Sequence, residues 1–190
     1  VARTGVSVYG KYPDEGAPHT HRVTLRRVVV RFDGVKADTS GGENGFTFYG
    51  ADDSLMENCI AIDFNDGSDA FAAFMHRDGS SNNKMYGCIA LNVGNFTPFR
   101  PDSSMNYGLL NCVAKGTSRT AMVLCQNSPL LSIDRCTFIG SSGDAIDTTS
   151  SSGITVKNTL FKDCGSGNTA DDYCHFDNSL HSTAHRLDCA

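Results

Sequence analysis

One phrase recurs along this chain. Met56-Glu57-Asn58-Cys59-Ile60-Ala61-Ile62 returns as Met85-Tyr86-Gly87-Cys88-Ile89-Ala90-Leu91, Leu109-Leu110-Asn111-Cys112-Val113-Ala114 and Ile133-Asp134-Arg135-Cys136-Thr137-Phe138-Ile139. Val156-Lys157-Asn158-Thr159-Leu160-Phe161 and Arg186-Leu187-Asp188-Cys189-Ala190 continue it. The Cys-equivalent positions 59, 88, 112, 136, 159 and 189 step by 29, 24, 24, 23 and 30 residues. A fixed phrase at this period marks a solenoid. Each repeat is too short to bury its own apolar face, so the fold must come from stacking.

What fills the period selects the kind of solenoid. A leucine-rich frame is absent, and no window carries the 3.6-residue periodicity of a helical repeat. Short β-rich runs alternate instead with Gly, Ser, Asn and Asp. A second family of runs comprises Gly45-Phe46-Thr47-Phe48-Tyr49, Phe71-Ala72-Ala73-Phe74-Met75, Phe96-Thr97-Pro98-Phe99-Arg100, Ala121-Met122-Val123-Leu124-Cys125, Ala145-Ile146-Asp147-Thr148 and Tyr173-Cys174-His175-Phe176. Alternation of apolar and polar residues implies one buried and one wet face. The expected fold is all-β: a single right-handed parallel β-helix of about seven or eight coils over residues 1–190, with 1–22 as an incomplete first coil.

In a parallel stack, equivalent residues lie about 4.8 Å apart. Cys59, Cys88, Cys112 and Cys136 then form one inward column, continued by Thr159. Asn58, Asn111 and Asn158 stand at the corner before it, where Asn tolerates left-handed backbone. Phe46/Phe48, Phe74, Phe99, Leu124 and Phe176 make a second inward column. The eight cysteines admit two readings: small buried hydrophobes with free thiols, or rung-to-rung bridges such as Cys59–Cys88 and Cys112–Cys136, whose spacing suits a disulfide. Cys164, Cys174 and Cys189 break the pattern and are the better bridge candidates.

A formal net charge of −5 argues against general nucleic-acid binding. No run approaches the 18 or more apolar residues of a membrane span.

The Asn-Cys-x-Ala phrase, the Gly/Asp/Asn turns and the coil Gly143-Asp144-Ala145-Ile146-Asp147…Gly153-Ile154-Thr155-Val156-Lys157-Asn158 resemble the pectin-lyase-like superfamily over residues 20–190. That superfamily holds polysaccharide lyases, glycoside hydrolases, tailspikes and adhesins, so the resemblance implies the fold and leaves the activity open. Glycans bind there along an outward strand column. With the Phe runs inward, Tyr49, Met75, Arg100, Cys125 and Asp177 point outward, followed by Arg77, Asp102 and Asn127. Elimination from a uronate needs a cation for the carboxylate and a base for the proton. Arg77 and Arg100 are the candidate cations, and His76 or one of the two Arg is the candidate base. Tyr49, Asp102, Asn127, His175 and Asp177 are candidate substrate contacts.

Asp63, Asp66 and Asp69 on a Gly turn are similar to the calcium corner of some pectate lyases, and clustered oxygens suit Ca²⁺. Signatures of the hydrolases of this fold are missing: no Gly-His-Gly occurs, and Asp144/Asp147 alone stand near an acidic pair. The expected function is a secreted, extracellular carbohydrate-active protein, a lyase or glycan-binding relative acting on an acidic polysaccharide. The alternative is a non-catalytic structural protein: a filament protomer stacked end to end, or a segment of a larger adhesin or tailspike-like protein. It is motivated by the absence of capping helices in the sequence.

Overall fold

The structure is a computed structural model that describes residues 4–10, 19–31, 44–64, 72–94, 97–117, 121–141, 143–149, 151–164 and 174–177. Among them every regular element is a strand. Three parallel sheets form the walls of a solenoid. The first face stacks Thr4–Tyr9, Asn44–Tyr49, Ala72–Arg77, Thr97–Pro101, Ala121–Gln126, Asp144–Thr149 and Cys174–Asp177. The second stacks Thr24–Arg26, Leu55–Glu57, Lys84–Tyr86, Tyr107–Leu110, Leu131–Asp134 and Thr155–Lys157. The third stacks Val29–Arg31, Ile60–Ile62, Ile89–Gly94, Val113–Thr117, Thr137–Ser141 and Leu160–Cys164. Where seven or eight coils were expected, the described residues place seven strands on the first face and six on each of the other two.

The repeated phrase is the corner between the second and third faces. Arg27, Asn58, Gly87, Asn111, Arg135 and Asn158 all adopt φ between 50° and 62°. One left-handed residue turns the chain sharply while its neighbours stay extended, which is why Asn and Gly dominate the position. Gly87 is required for a second reason: a Cβ there would stand 2.4 Å from Asn58 Oδ1. The next residue points inward, and Cys59, Cys88, Cys112 and Cys136 are all buried free thiols. Cys88 Sγ donates to Met56 O (3.4 Å) and Cys112 Sγ to Met85 O (3.5 Å), which satisfies the thiols without cross-links. Cys164 is also free and buried. Cys189 lies outside the described residues, and only the backbone of Cys174 is described.

The first face supplies the aromatic core. Val6, Phe46, Phe74 and Phe99 are in register, and Val123 and Ile146 continue the column. Ring centroids lie 4.9 Å apart for Phe46–Phe74 and 5.4 Å for Phe74–Phe99. Phe99 then meets Phe138 of the third face edge-on at 6.3 Å. Burying each such ring contributes about 1.5–3 kcal/mol. Leu124, expected inward, stands one pleat away and is half-buried, while Cys125, expected outward, is fully buried.

A buried serine column closes the corner after the first face. Ser80 Oγ accepts from Ala51 N–H (3.1 Å), Ser128 Oγ from Ser104 N–H (3.1 Å) and Ser151 Oγ from Ser128 N–H (3.0 Å). These hydroxyls occupy backbone donors that would otherwise be orphaned where the strands end.

Candidate functional site

The first face aligns several of the expected site residues. Tyr9, Tyr49 and Arg77 are in register on successive rungs, and the two tyrosine rings stack at 4.7 Å. Arg100 is in register with Met75, and Asp102 bridges to Gln126. Both candidate cations are engaged within the protein. Arg77 Nε lies 3.4 Å from Asp78 Oδ1. Arg100 lies 3.4 Å from Asp102 Oδ2 and donates to Gln126 Oε1 at 2.6 Å. The Arg100 side chain is only 12 % exposed. Asn127 is exposed at a left-handed corner. His175 pairs with Asp147 and Asp177 with Thr149 in backbone register, and their side chains lie outside the description.

His76 is in the core. It is in register with Phe48 and tilts against that ring at 5.0 Å, with the Tyr107 ring edge-on at 4.5 Å. Neither ring nitrogen of His76, nor the Tyr107 hydroxyl, has a hydrogen-bond partner among the described residues. Burial pushes the imidazole down to about 3. A group at 0 % exposure cannot reach a substrate, so the expected base is a core residue in this structure.

Of the expected calcium corner, Asp63 is bound by Arg31 at 3.0 Å and accepts from Asn92 Nδ2 at 3.3 Å. Asp66 and Asp69 lie outside the described residues. Among those described, no three His, Cys, Asp or Glu side chains gather as metal ligands.

The second face carries a cleft of about 440 Å³. Register assigns its floor and walls. Leu55, Lys84, Gly108 and Ser132 follow one another in one outward column. Glu57, Tyr86, Leu110 and Asp134 form the next. Gly108 has no side chain where its neighbours have Lys84 and Ser132, and that gap makes the depression. Tyr86 is 40 % exposed and forms the aromatic wall. Glu57 is paired with Arg26. Asp134 is held below the usual carboxylate range by the Asn158 amide, with Arg135 adding to the effect against slight burial; Asn158 Nδ2 donates to it at 3.0 Å. Asp134 is therefore an ionised acceptor.

Glu57 and Asp134 stand three rungs apart, about 14 Å at ~4.8 Å per rung. Paired-carboxylate glycoside hydrolysis uses separations of about 5–9.5 Å. The outward residues of the cleft were in plain view in the repeated phrase, at the polar position before each left-handed corner. They escaped notice because that position is filled by Glu, Tyr, Leu, Asp and Lys in turn, with no constant chemistry to flag it.

No protein-family model matches the chain, and no curated protein does. Among solved structures it is similar to a crystal structure described as a "putative glycosyl hydrolase" from Parabacteroides merdae ATCC 43184. The match has a TM-score of 0.58, covers 75 % of this chain and 73 % of that one, and has 10 % sequence identity. At that identity the likeness shows the fold, a parallel β-solenoid.

Proposed function

We propose that this chain is a glycan-binding β-solenoid that holds an acidic polysaccharide in the second-face cleft. The observation that carries the reading is the cleft itself: an exposed Tyr86 wall beside a Gly108 depression, with Lys84 and the fixed acceptor Asp134 along it. Such a mix of an apolar platform with a few placed polar groups is what small-molecule and sugar sites present. Lys84 has no ion-pair partner among the described residues, and a glycan carboxylate supplies one. The pectin-lyase-like resemblance and the likeness to a described glycosyl hydrolase accord with a carbohydrate ligand, and with an extracellular setting as part of the same proposal.

Affinity electrophoresis through gels holding polygalacturonate, alginate or neutral xylan tests this. We expect retardation by an acidic polymer, and Tyr86→Ala and Lys84→Ala each to weaken binding roughly tenfold, about 1.4 kcal/mol. Retention of full binding by both variants would remove the cleft from the account. Lyase activity, the finer expectation, is read in the same samples from ultraviolet absorbance of unsaturated products.

A further inference from the structure

The corner that opens the second face repeats a left-handed residue. Asp53, Asn82, Asn106 and Leu130 follow one another rung by rung, and Gly153 continues the column. Asp, Asn and Gly tolerate this backbone. Leu does not, because its Cβ crowds the carbonyl that follows. At φ 63°, Leu130 is the one apolar residue among the described non-glycine residues of positive φ. Burial does not account for it, since Leu130 is 52 % exposed. A strained residue that gains little from the core points to a role at a site.

The surroundings of Leu130 say which site. Its carbonyl accepts from the Tyr107 N–H at 3.1 Å, which sets Leu130 directly beside Asn106 on the neighbouring rung. Asn106 and Tyr107 both line the cleft, and so does Ser132, two residues after Leu130. Leu130 therefore extends the wall that Asn106 begins. Its Cδ2 reaches over the next rung, where a Cβ on Gly153 would stand 2.9 Å away. The missing side chain of Gly153 lets Leu130 lie along the wall. Ser132 and Thr155, in register, continue the floor, and Asp134 and Lys157, also in register, continue the opposite wall. An apolar side chain thus faces an acceptor and a donor across a floor of small hydroxyl residues, the mix of surfaces that a sugar ring presents in reverse.

We infer that Leu130 builds a further sugar subsite at the Thr155 end of the cleft, where it holds the C–H face of one more unit of the acidic chain while Asp134 and Lys157 bond that unit's polar groups. The inference rests on the proposed glycan reading for its ligand. Lys84 and Thr155 stand three rungs apart, about 14 Å at ~4.8 Å per rung. A short oligosaccharide anchored at Tyr86 and Lys84 ends before Leu130, and a longer one reaches it. Leu130 is then a residue that sets the preferred ligand length. Asn would suit the turn better, as it does at positions 82 and 106, but it offers no apolar surface to the sugar. Stability is given up at this position for a contact.

Calorimetric titration of the whole chain with galacturonate di- and tetrasaccharides, together with thermal melts in the absence of sugar, tests this. The wild type should bind the tetrasaccharide about tenfold tighter than the disaccharide. Leu130→Asn should weaken the tetrasaccharide about fivefold and leave the disaccharide unchanged. It should also raise the melting temperature by about 2–4 °C, because the strain is relieved. Leu130→Gly, which fits the same turn, should change binding in the same way. A gain in stability with a loss of affinity for the longer sugar alone is a result that a packing role would not give. A lower melting temperature in both variants would show that Leu130 serves the fold, and undiminished tetrasaccharide binding by both would show that the sugar does not touch it. Either result overturns the inference and leaves the glycan reading intact. If neither sugar binds the wild type, the glycan reading falls and the subsite falls with it.

Discussion

Replacing His76 by Phe tests the core register and its energetics together. His76 occupies the place that Phe48 holds one rung earlier, fully buried, with both nitrogens unpartnered. An unsatisfied buried polar group costs about 1–3 kcal/mol, and Phe removes two of them. Phe is larger, and its fit against Tyr107 costs part of that gain, since overpacking is typically worth about 1–3 kcal/mol. The expected net effect at pH 7 is a stabilisation of about 1 kcal/mol. The pH dependence is sharper. Burial lowers the folded-state pKa to about 3, against about 6.5 in the unfolded chain. Between those values the unfolded state binds a proton that the folded state does not. The wild type therefore loses stability as pH falls through that window, by about 1.36 kcal/mol per unit. Above about 6.5 this loss is absent, and below about 3 it is complete. His76→Phe removes the linkage, so its advantage over wild type should widen by about 2 kcal/mol from pH 7 to pH 5. Urea unfolding of both proteins at pH 7.5, 6 and 5 measures it. A difference that stays constant with pH would refute the reasoning, because it would mean that the folded protein pairs or protonates His76.

Two further outcomes follow from the corner. Asn111→Ala, at φ 53°, should cost about 1 kcal/mol while Asn111→Gly stays within about 0.5; Gly87→Ala should exceed both, since its Cβ meets Asn58 Oδ1, and thermal melts rank the three. The buried thiols Cys59, Cys88, Cys112, Cys125, Cys136 and Cys164 should resist alkylation in the native protein and react in denaturant without prior reduction, as peptide mass mapping reads. Burial pushes Cys125 up to about 11, so raising the pH to 9 should not expose it. Rapid native labelling of the column would contradict the packing.

The fold was legible because stacking forces like residues onto one column. Cys59, Cys88, Cys112 and Cys136 repeat since one corner geometry repeats, and the left-handed Asn58, Asn111 and Asn158 follow from the same cause. An earlier copy, Leu25-Arg26-Arg27-Val28-Val29-Val30, was missed: it pairs with Met56 to Ala61, but Val28 replaces the Cys and Arg27 the Asn. The first face was harder. Its strands carry unbroken apolar runs, Ala72-Ala73-Phe74-Met75 and Ala121-Met122-Val123-Leu124-Cys125, so a one-residue error leaves the pattern looking intact, and Leu124, Cys125 and His76 were turned the wrong way. His76 looked like a base because it stands between Met75 and Arg77, both read as outward; Met75 is fully buried as well.

The most direct test is where an oligosaccharide binds. A crystal of the chain soaked with an acidic oligosaccharide, or ¹H–¹⁵N shift mapping with the same ligand, reports the face. The account predicts sugar over Gly108 with Tyr86 and Lys84 in contact. Sugar bound instead along Tyr49, Arg77 and Arg100 of the first face would contradict it.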